Sequence, residues 1–415
     1  MTELLPPAPG ARPESPAPPR SEPAAPEVRH RVPGASRIAG LDGIRGLAAL
    51  FVVLHHSWLS AFPGFPNAAV PLWTAWLAFG HLAVVVFITL SGFSLAVGPA
   101  RAGWQLGPMR CFLRRRAWRI LPPYWAALAF SMIVAVVVVP QPGEGVPTAK
   151  SAVVFGVLLQ DVFGSPSPNG AFWSIAVEAQ LYLVMPLLLF VRRRWGAVVV
   201  LAVVCVPAIA VELLSGRLAV AALLERFVPQ MAVLFAAGVV AATVLGSNRD
   251  RAARIPWGVL SAVGVLPPLA LILLRGQVWS VENFFWVDLA ICPAIVFLLA
   301  GLSVGRANVA VRVLDTRPLR GLGSFSYSLY LVHAPIVIMV DALAAHENVP
   351  FGLPRLLVLV ATAVPLSVLF AWLFARVFEL PFQRHRSSRE LLATVRTNVR
   401  RTKATALRES GTRPE

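Results

Sequence analysis

The sequence predicts an all-α polytopic membrane protein of about ten transmembrane helices with both termini in the cytoplasm. Three observations predict it. The 415-residue chain is 57% hydrophobic and only 14% charged, with a mean hydropathy of +0.70, which is too apolar for a soluble globule. Several apolar runs reach the ~20 residues needed to cross a bilayer. Arginine and lysine collect in alternate loops: segments 99–119, 192–194, 247–255 and 305–322 carry 6, 3, 3 and 4. The intervening loops carry only Lys150, Arg217, Arg226, Arg275 and Arg355. That alternation is the positive-inside pattern and agrees with an even number of spans. It also explains the net charge of +17 without a nucleic-acid partner, because attraction to anionic lipid accounts for a surplus placed this way.

Along the chain, residues 1–36 are rich in Pro, Ala and Glu with no apolar run to bury, so a disordered cytoplasmic tail is expected. No charged segment leads directly into an apolar one there, so no signal peptide is expected. The spans fall at roughly 44–62, 72–98, 119–139, 170–191, 196–214, 228–246, 256–275, 284–304, 323–345 and 355–378. Segment 151–163 is too short to cross and is expected along the interface. Residues 384–415 carry nine basic residues and read as a cytoplasmic tail too short for a core of its own. Residues 37–383 therefore form one transmembrane domain, with no internal repeat and no appended soluble domain expected. Cys111, Cys205 and Cys292 have no metal-ligand or redox spacing; they read as small apolar filler, and no metal site is expected.

Ionisable groups at membrane depth are costly and mark functional sites. The first span holds Arg45, His55 and His56. Arg45 and His56 are eleven residues apart, about three turns, so they share a face and lie roughly 16 Å apart along the axis. A fixed cation near one surface and a titratable base deeper in suggest a reaction centre reached from that surface. His55 is rotated about 100° away and is the lesser candidate. In the second span, Ser91-Gly92 lets a neighbouring helix approach, and His81 reads equally as a site residue or a structural imidazole.

Ahead of the third span, Arg114, Arg115, Arg116 and Arg119 precede Pro122-Pro123. A topology anchor explains part of that cluster. Arginine forks and a helix N-terminus also suit a phosphate-bearing cytoplasmic ligand. The fourth span opens on Trp173-Ser174, and Ser174, Glu178 and Tyr182 stack at four-residue spacing. A carboxylate in a lipid span needs a partner or a proton. Glu178 is about two turns below the extracytoplasmic surface, where it can orient His56 or bind an acceptor hydroxyl; an interhelical tie is the plainer alternative. In the ninth span Ser326, Tyr330 and His333 form a polar stripe. Glu379, at the cytoplasmic rim, is expected to pair with the arginines.

Taken together, Leu41-Asp-Gly-Ile-Arg45-Gly with His56, Phe87-Ile-Thr-Leu-Ser-Gly-Phe93, Arg119-Ile-Leu-Pro-Pro-Tyr124, Phe172-Trp-Ser-Ile-Ala-Val-Glu178 and Ser326-Tyr-Ser-Leu-Tyr-Leu-Val-His333 resemble the acyltransferase-3 family. Its members are integral membrane enzymes that O-acylate glycans, lipopolysaccharides, peptidoglycan or secondary metabolites such as macrolides. The resemblance covers about 37–381 in the family's order. It implies a multi-pass protein of the bacterial cell membrane that transfers an acyl group, acetyl expected, from cytoplasmic acyl-CoA to a carbohydrate hydroxyl. No permanently bound cofactor is implied; acyl-CoA is a co-substrate.

The family's arginine, ten residues, histidine pattern falls on Arg45 and His56, and its basic motif on Arg116 and Arg119. The Trp-Ser-x-x-x-Glu element falls on Trp173, Ser174 and Glu178. The expected site thus has His56 as general base with Glu178, and Arg45, Arg116 and Arg119 holding CoA phosphates. Ser91, Trp173, Ser174, Tyr182, Tyr330 and His333 are expected on the acceptor side or orienting the base. Departures are His55 where tyrosine is common, Ala179 for a frequent glutamate, and Val332 and Ala334 for frequent tryptophans. Longer members carry an esterase-like extracytoplasmic domain, not expected here. The rival reading is a proton-coupled transporter or an exporter of a glycan or small molecule, since buried His, Glu and Arg also line such pathways. Repeated halves and paired broken helices, which would favour it, are not seen in the sequence.

Overall fold

The computed structural model describes residues 38–305 and 308–384. The tails expected at 1–36 and 384–415 lie outside the described residues, apart from Arg384. Every regular element among the described residues is helical. Among the described residues nine helices are long and apolar enough to cross a bilayer, and the pair Ala219–Glu225 and Gln230–Gly246, bent by 55°, makes ten if taken as one span. They follow the order and approximate bounds read from the sequence. The protein is a multi-pass membrane protein.

The long helices are α1 (Leu41–Ala61), α2 (His81–Arg101), α3 (Met109–Val137), α4 (Trp173–Trp195), α5 (Ala197–Leu214), α6 (Gln230–Ala241), α7 (Leu266–Glu282), α8 (Phe284–Val304), α9 (Ser326–His346) and α10 (Leu353–Phe374). A 3-10 turn, Leu72–Phe79, leads into α2, and a short helix, Arg317–Gly323, leads into α9. Helices α1, α2, α6, α9 and α10 pack most closely, whereas α5 and α7 leave nearly all of their apolar surface outward. That surface suits lipid, which is as apolar as the side chains facing it.

Glycine decides the two tightest crossings. A Cβ on Gly92 of α2 would sit 2.1 Å from the Phe235 carbonyl oxygen, and one on Gly238 would sit 2.0 Å from the Thr89 oxygen. The Ser-Gly of the second span is therefore a contact of backbone on backbone, as the sequence led us to expect. In the same way Gly43 meets the Leu314 carbonyl and Gly323 meets that of Asp42. The glycines flanking Arg45 seat α1 against the segment before α9, which fixes where the guanidinium emerges.

One expectation is corrected. The helix of the third span does not begin at the arginine cluster: α3 runs unbroken from Met109 to Val137 through Pro122 and Pro123. Proline removes a donor and crowds the preceding turn, but neighbouring helices tolerate it within a membrane bundle. The arginine cluster therefore lies along the first three turns of α3, and Arg116 and Arg119 stand about two and three turns past its N-terminus. The connection from α3 to α4 holds only the short helix Ala149–Gly156, capped by Thr148, consistent with a segment too short to cross. Asn169, fully buried, closes that connection by donating to Ser131 Oγ at 3.1 Å and to the Leu331 carbonyl at 2.9 Å.

Candidate active site

A cavity of about 350 Å³ opens between α1, α2, α3, α4 and α9. At one end it is lined by Arg45, Arg116 and Arg119, and deeper by Ser91, Glu178 and Tyr182, then Ser174 and Tyr330. Eight of the expected site residues thus share one chamber, together with Ser326 and Glu379. Arg45 is held by its own helix and by α2: Nη1 lies 3.3 Å from Asp42 Oδ1, and Nη2 donates to Ser94 Oγ at 2.8 Å. Arg116 has its Nε buried without a partner among the described residues, so a ligand group reaching it loses nothing to competition. Arg119 is exposed at the mouth, beside Arg110, Arg114 and Arg115 on the same helix.

Glu178 sits one helix away. Its Oε1 accepts both Ser91 Oγ and Tyr182 OH, each at 2.7 Å. The Glu178–Tyr182 part of the i, i+4 stack on α4 is therefore hydrogen-bonded, and Oε2, which has no partner among the described residues, can meet whatever occupies the chamber. At the far end the Ser174 and Tyr330 hydroxyls are 2.6 Å apart, and Tyr330 also donates to the Ala171 carbonyl at 3.0 Å. This pair closes the chamber.

Behind it stand the histidines. His333, fully buried, donates from Nδ1 to the Tyr330 carbonyl at 2.7 Å, since a carbonyl only accepts. Its ring is 5.8 Å from that of Tyr330 and 5.0 Å from that of half-buried His56. His55 continues the row 5.2 Å beyond, with Nδ1–H on the Leu77 carbonyl at 2.7 Å. His56, His333 and Trp173 do not line the chamber. The chamber that the arginines line thus ends at Ser174 and Tyr330, and His56 stands outside it, next to His333.

Glu379 is also placed differently. No arginine among the described residues pairs with it; its Oε2 takes the Ser328 N–H at 3.1 Å and Oγ at 2.5 Å, and Oε1 takes Gln383 at 2.7 Å. A buried carboxylate that caps backbone and hydroxyl donors is satisfied without a cation. Sequence reading missed three lining residues: Asp42 and Ser94, which hold Arg45, and Tyr327, whose hydroxyl donates to the Ile120 carbonyl at 3.2 Å. Asp42 was visible three residues from Arg45. The other two have no local signal. With Glu178 and Glu379, Asp42 sets three carboxylates against three guanidiniums in the chamber, so charge there is arranged in sign from place to place and not uniformly positive.

The most consequential residue missed is Asp288 of α8, fully buried in an apolar helix. Its Oδ2 lies 2.9 Å from His81 Nε2 and 3.5 Å from Gln230 Nε2. The His81 ring stacks on Phe284, at 4.3 Å, and on Trp173, at 5.7 Å and 7°. Trp173, expected near the acceptor, thus belongs to this second cluster.

The comparisons agree with the residues. A family model described as an acyltransferase domain matches residues 38–376. The chain is 25% identical over 328 residues to a putative peptidoglycan O-acetyltransferase, YrhL, of Bacillus subtilis, covering 73% of this chain and 49% of that one. It is 23% identical over 338 residues to the peptidoglycan O-acetyltransferase OatA of Listeria monocytogenes, covering 73% and 50%. Against the O-acetyltransferase OatA of Staphylococcus aureus it is 23% identical over 378 residues, covering 84% and 57%. The chain spans about half the length of the curated relatives it matches. No solved structure matches it. With the family's model laid over nearly all of the transmembrane bundle, the chain belongs to the acyltransferase-3 family.

Proposed function

We propose that this protein is a membrane O-acyltransferase that moves an acetyl group from cytoplasmic acetyl-CoA to a hydroxyl of a carbohydrate acceptor. The observation that carries the reading is the single chamber that begins at Arg45, Arg116 and Arg119 and ends one side chain from the His56–His333 pair. The names of the relatives above support a glycan acceptor and an acetyl donor. The basic residues of alternate loops support cytoplasmic termini and place the arginine end of the chamber at the cytoplasmic face.

In this reading the CoA phosphates dock on the three guanidiniums, whose planar forks suit phosphate. The pantetheine arm extends past Glu178 and displaces the Ser174–Tyr330 bond, bringing the thioester to His56. His56 takes the proton from the acceptor hydroxyl as its oxygen attacks the thioester carbonyl carbon. The tetrahedral oxyanion is stabilised by the hydroxyls of Ser174 and Tyr330, freed from one another. Collapse breaks the C–S bond, and the imidazolium returns its proton to the departing thiolate, so the products are an ester and CoA thiol with no net proton change. His333 presents an unpaired buried Nε2 towards this region and positions His56.

The test uses the full chain in lipid nanodiscs with acetyl-labelled acetyl-CoA and glycan strands released from peptidoglycan. Base-labile label on the glycan that disappears in His56→Ala is the expected result. Label absent with wild-type protein that binds acetyl-CoA, or undiminished in His56→Ala, overturns the reading. Movement of glycan across the bilayer without ester formation would show a transporter instead.

A further inference from the structure

We propose that His81 and Asp288 form a hydroxyl-binding site for the carbohydrate acceptor, at the opposite end of α2 from the arginine cluster, with Trp173 and Phe284 as its walls. This inference rests on the reading above for its substrate class. His81 opens α2, while Ser94, which holds Arg45, lies thirteen residues further along. At 1.5 Å per residue the two ends are roughly 20 Å apart. His81 therefore stands on the far side of the histidine row from the donor's phosphates. A Cβ on Gly80 would strike the His55 ring at 2.2 Å, so His55 packs directly on the residue preceding His81. From His333 through His56 and His55, the imidazoles lead to this pair.

The pair is built for more than holding two helices together. Asp288 has no exposure, and its Oδ1 is buried without a partner among the described residues. A carboxylate so placed is costly unless its surroundings make use of it. By accepting from Nε2–H, Asp288 fixes the imidazole tautomer and leaves the lone pair on Nδ1, the arrangement by which carboxylates orient basic histidines elsewhere. Nδ1 makes no hydrogen bond among the described residues, and the side chain keeps 16% of its surface exposed. Stacking on both Phe284 and Trp173 holds the ring in place. What results is a rigid acceptor of one hydrogen bond, bordered by half-buried aromatic edges. A sugar presents that combination: hydroxyl donors on an otherwise apolar C–H face. Trp173 also joins the site to the chemistry, since the next residue, Ser174, bonds Tyr330.

The discriminating variant is His81→Gln. Its side-chain amide nitrogen can still donate to Asp288, preserving the tie between α2 and α8, while nothing remains at the Nδ1 position. The probe is a series of N-acetylglucosamine oligomers, titrated without acetyl-CoA into the full chain in nanodiscs and followed by tryptophan fluorescence. We expect a change that is lost in Trp173→Phe and needs at least tenfold more oligomer in His81→Gln, with acetyl-CoA affinity unchanged. In turnover, the acceptor KM should rise by a similar factor while that for acetyl-CoA holds. Should His81→Gln fail to fold, Phe284→Leu removes one wall without touching the ion pair and is expected to weaken oligomer binding several-fold. Equal binding by wild type and both variants, or no binding by wild type, overturns the inference. Because binding is read without the donor, that outcome is separate from a failure to form ester, which bears on the transfer reaction itself.

Discussion

The Nδ1–H of His333 is committed to the Tyr330 carbonyl, three residues before it on the same helix, and its Nε2 is buried without a partner while its ring lies 5.0 Å from that of His56. An imidazole fixed in one tautomer beside another is a device for orienting the second. Replacing His333 by Asn keeps a donor near Nδ1 and removes the Nε2 lone pair. His333→Asn is expected to fold with wild-type stability and lower kcat by about one to two orders of magnitude, with KM for acetyl-CoA unchanged, a loss of the size attached to a general base's partner. His333→Gln, which restores an acceptor near Nε2, should recover part of the rate. Steady-state kinetics on both variants checks this, and a His333→Asn enzyme with wild-type kcat would leave His56 without an orienting partner.

Glu178 separates charge from geometry. Its Oε1 receives two hydroxyl bonds, and an amide oxygen in Glu178→Gln can receive both. Stability should therefore change little in this variant. If the free oxygen acts on substrate as a charge, kcat falls by about 10²- to 10³-fold, the range seen when one electrostatic group is removed from a site. Glu178→Ala leaves Ser91 and Tyr182 unpartnered and should cost about 1–3 kcal/mol of stability in addition. Thermal unfolding in detergent, set beside turnover, tells the two effects apart.

Packing at the α2–α6 crossing gives a prediction free of chemistry. A Cβ on Gly92 meets a backbone oxygen that cannot rotate aside, so Gly92→Ala should destabilise the bundle by about 1–3 kcal/mol, the usual cost of overpacking. Gly98, on the same helix, has nothing within 4 Å. Gly98→Ala should be neutral or gain up to about 1 kcal/mol from helix propensity. Unfolding midpoints for the two variants in the same detergent decide it.

Much of this was legible beforehand, for identifiable reasons. Apolar runs of bilayer length disclose spans, because lipid leaves a chain few other options. Arg45, Glu178 and Tyr330 stood out because polar groups are rare in such runs. What escaped was tertiary. Nothing local to Tyr330 says that its hydroxyl meets Ser174, 156 residues away, and so closes the chamber short of His56. Pro122-Pro123 reads as a break by soluble-protein rules, yet α3 continues because its neighbours hold it. His81 and Asp288 are 207 residues apart, so no spacing links them. Asp288 did carry a usable signal, as the single carboxylate in Phe284–Val304.

The connection before α4 carries a pH dependence. Burial raises the Asp161 carboxyl above its usual range, against the opposing pull of the Gln180 amide, 3.0 Å away, and of Arg226. Ionising it costs the folded state more than the unfolded chain. The stability it contributes is therefore full below the ordinary carboxylate value of about 4 and is lost as pH rises through the raised one. Hydrogen exchange across 157–172 should quicken from pH 4 to 7 beyond the intrinsic base-catalysed increase. Asp161→Asn, which keeps an acceptor for Gln180 and has no proton to lose, should remove that excess; an excess that persists in the variant would assign it to another group.

Docking of CoA on the arginines yields a test that reads one phosphate at a time. Arg116 and Arg119 lie three residues apart on α3, so both can face one ligand. Charge-assisted hydrogen bonds of this kind contribute about 1.5–3 kcal/mol each, or roughly ten- to a hundredfold in affinity. Arg116→Glu with Arg119→Glu should weaken acetyl-CoA binding by at least a hundredfold while leaving oligosaccharide binding within twofold. Dephospho-CoA, which lacks the 3′-phosphate, sharpens the assignment through a double-mutant cycle. If one of these guanidiniums holds that phosphate, wild type discriminates between the two ligands and the corresponding single Arg→Gln variant does not. Discrimination that survives both single variants would move the 3′-phosphate to Arg45 or to the exposed arginines at the mouth, and equal loss of donor and acceptor binding would show that the cluster holds the bundle together and not the ligand.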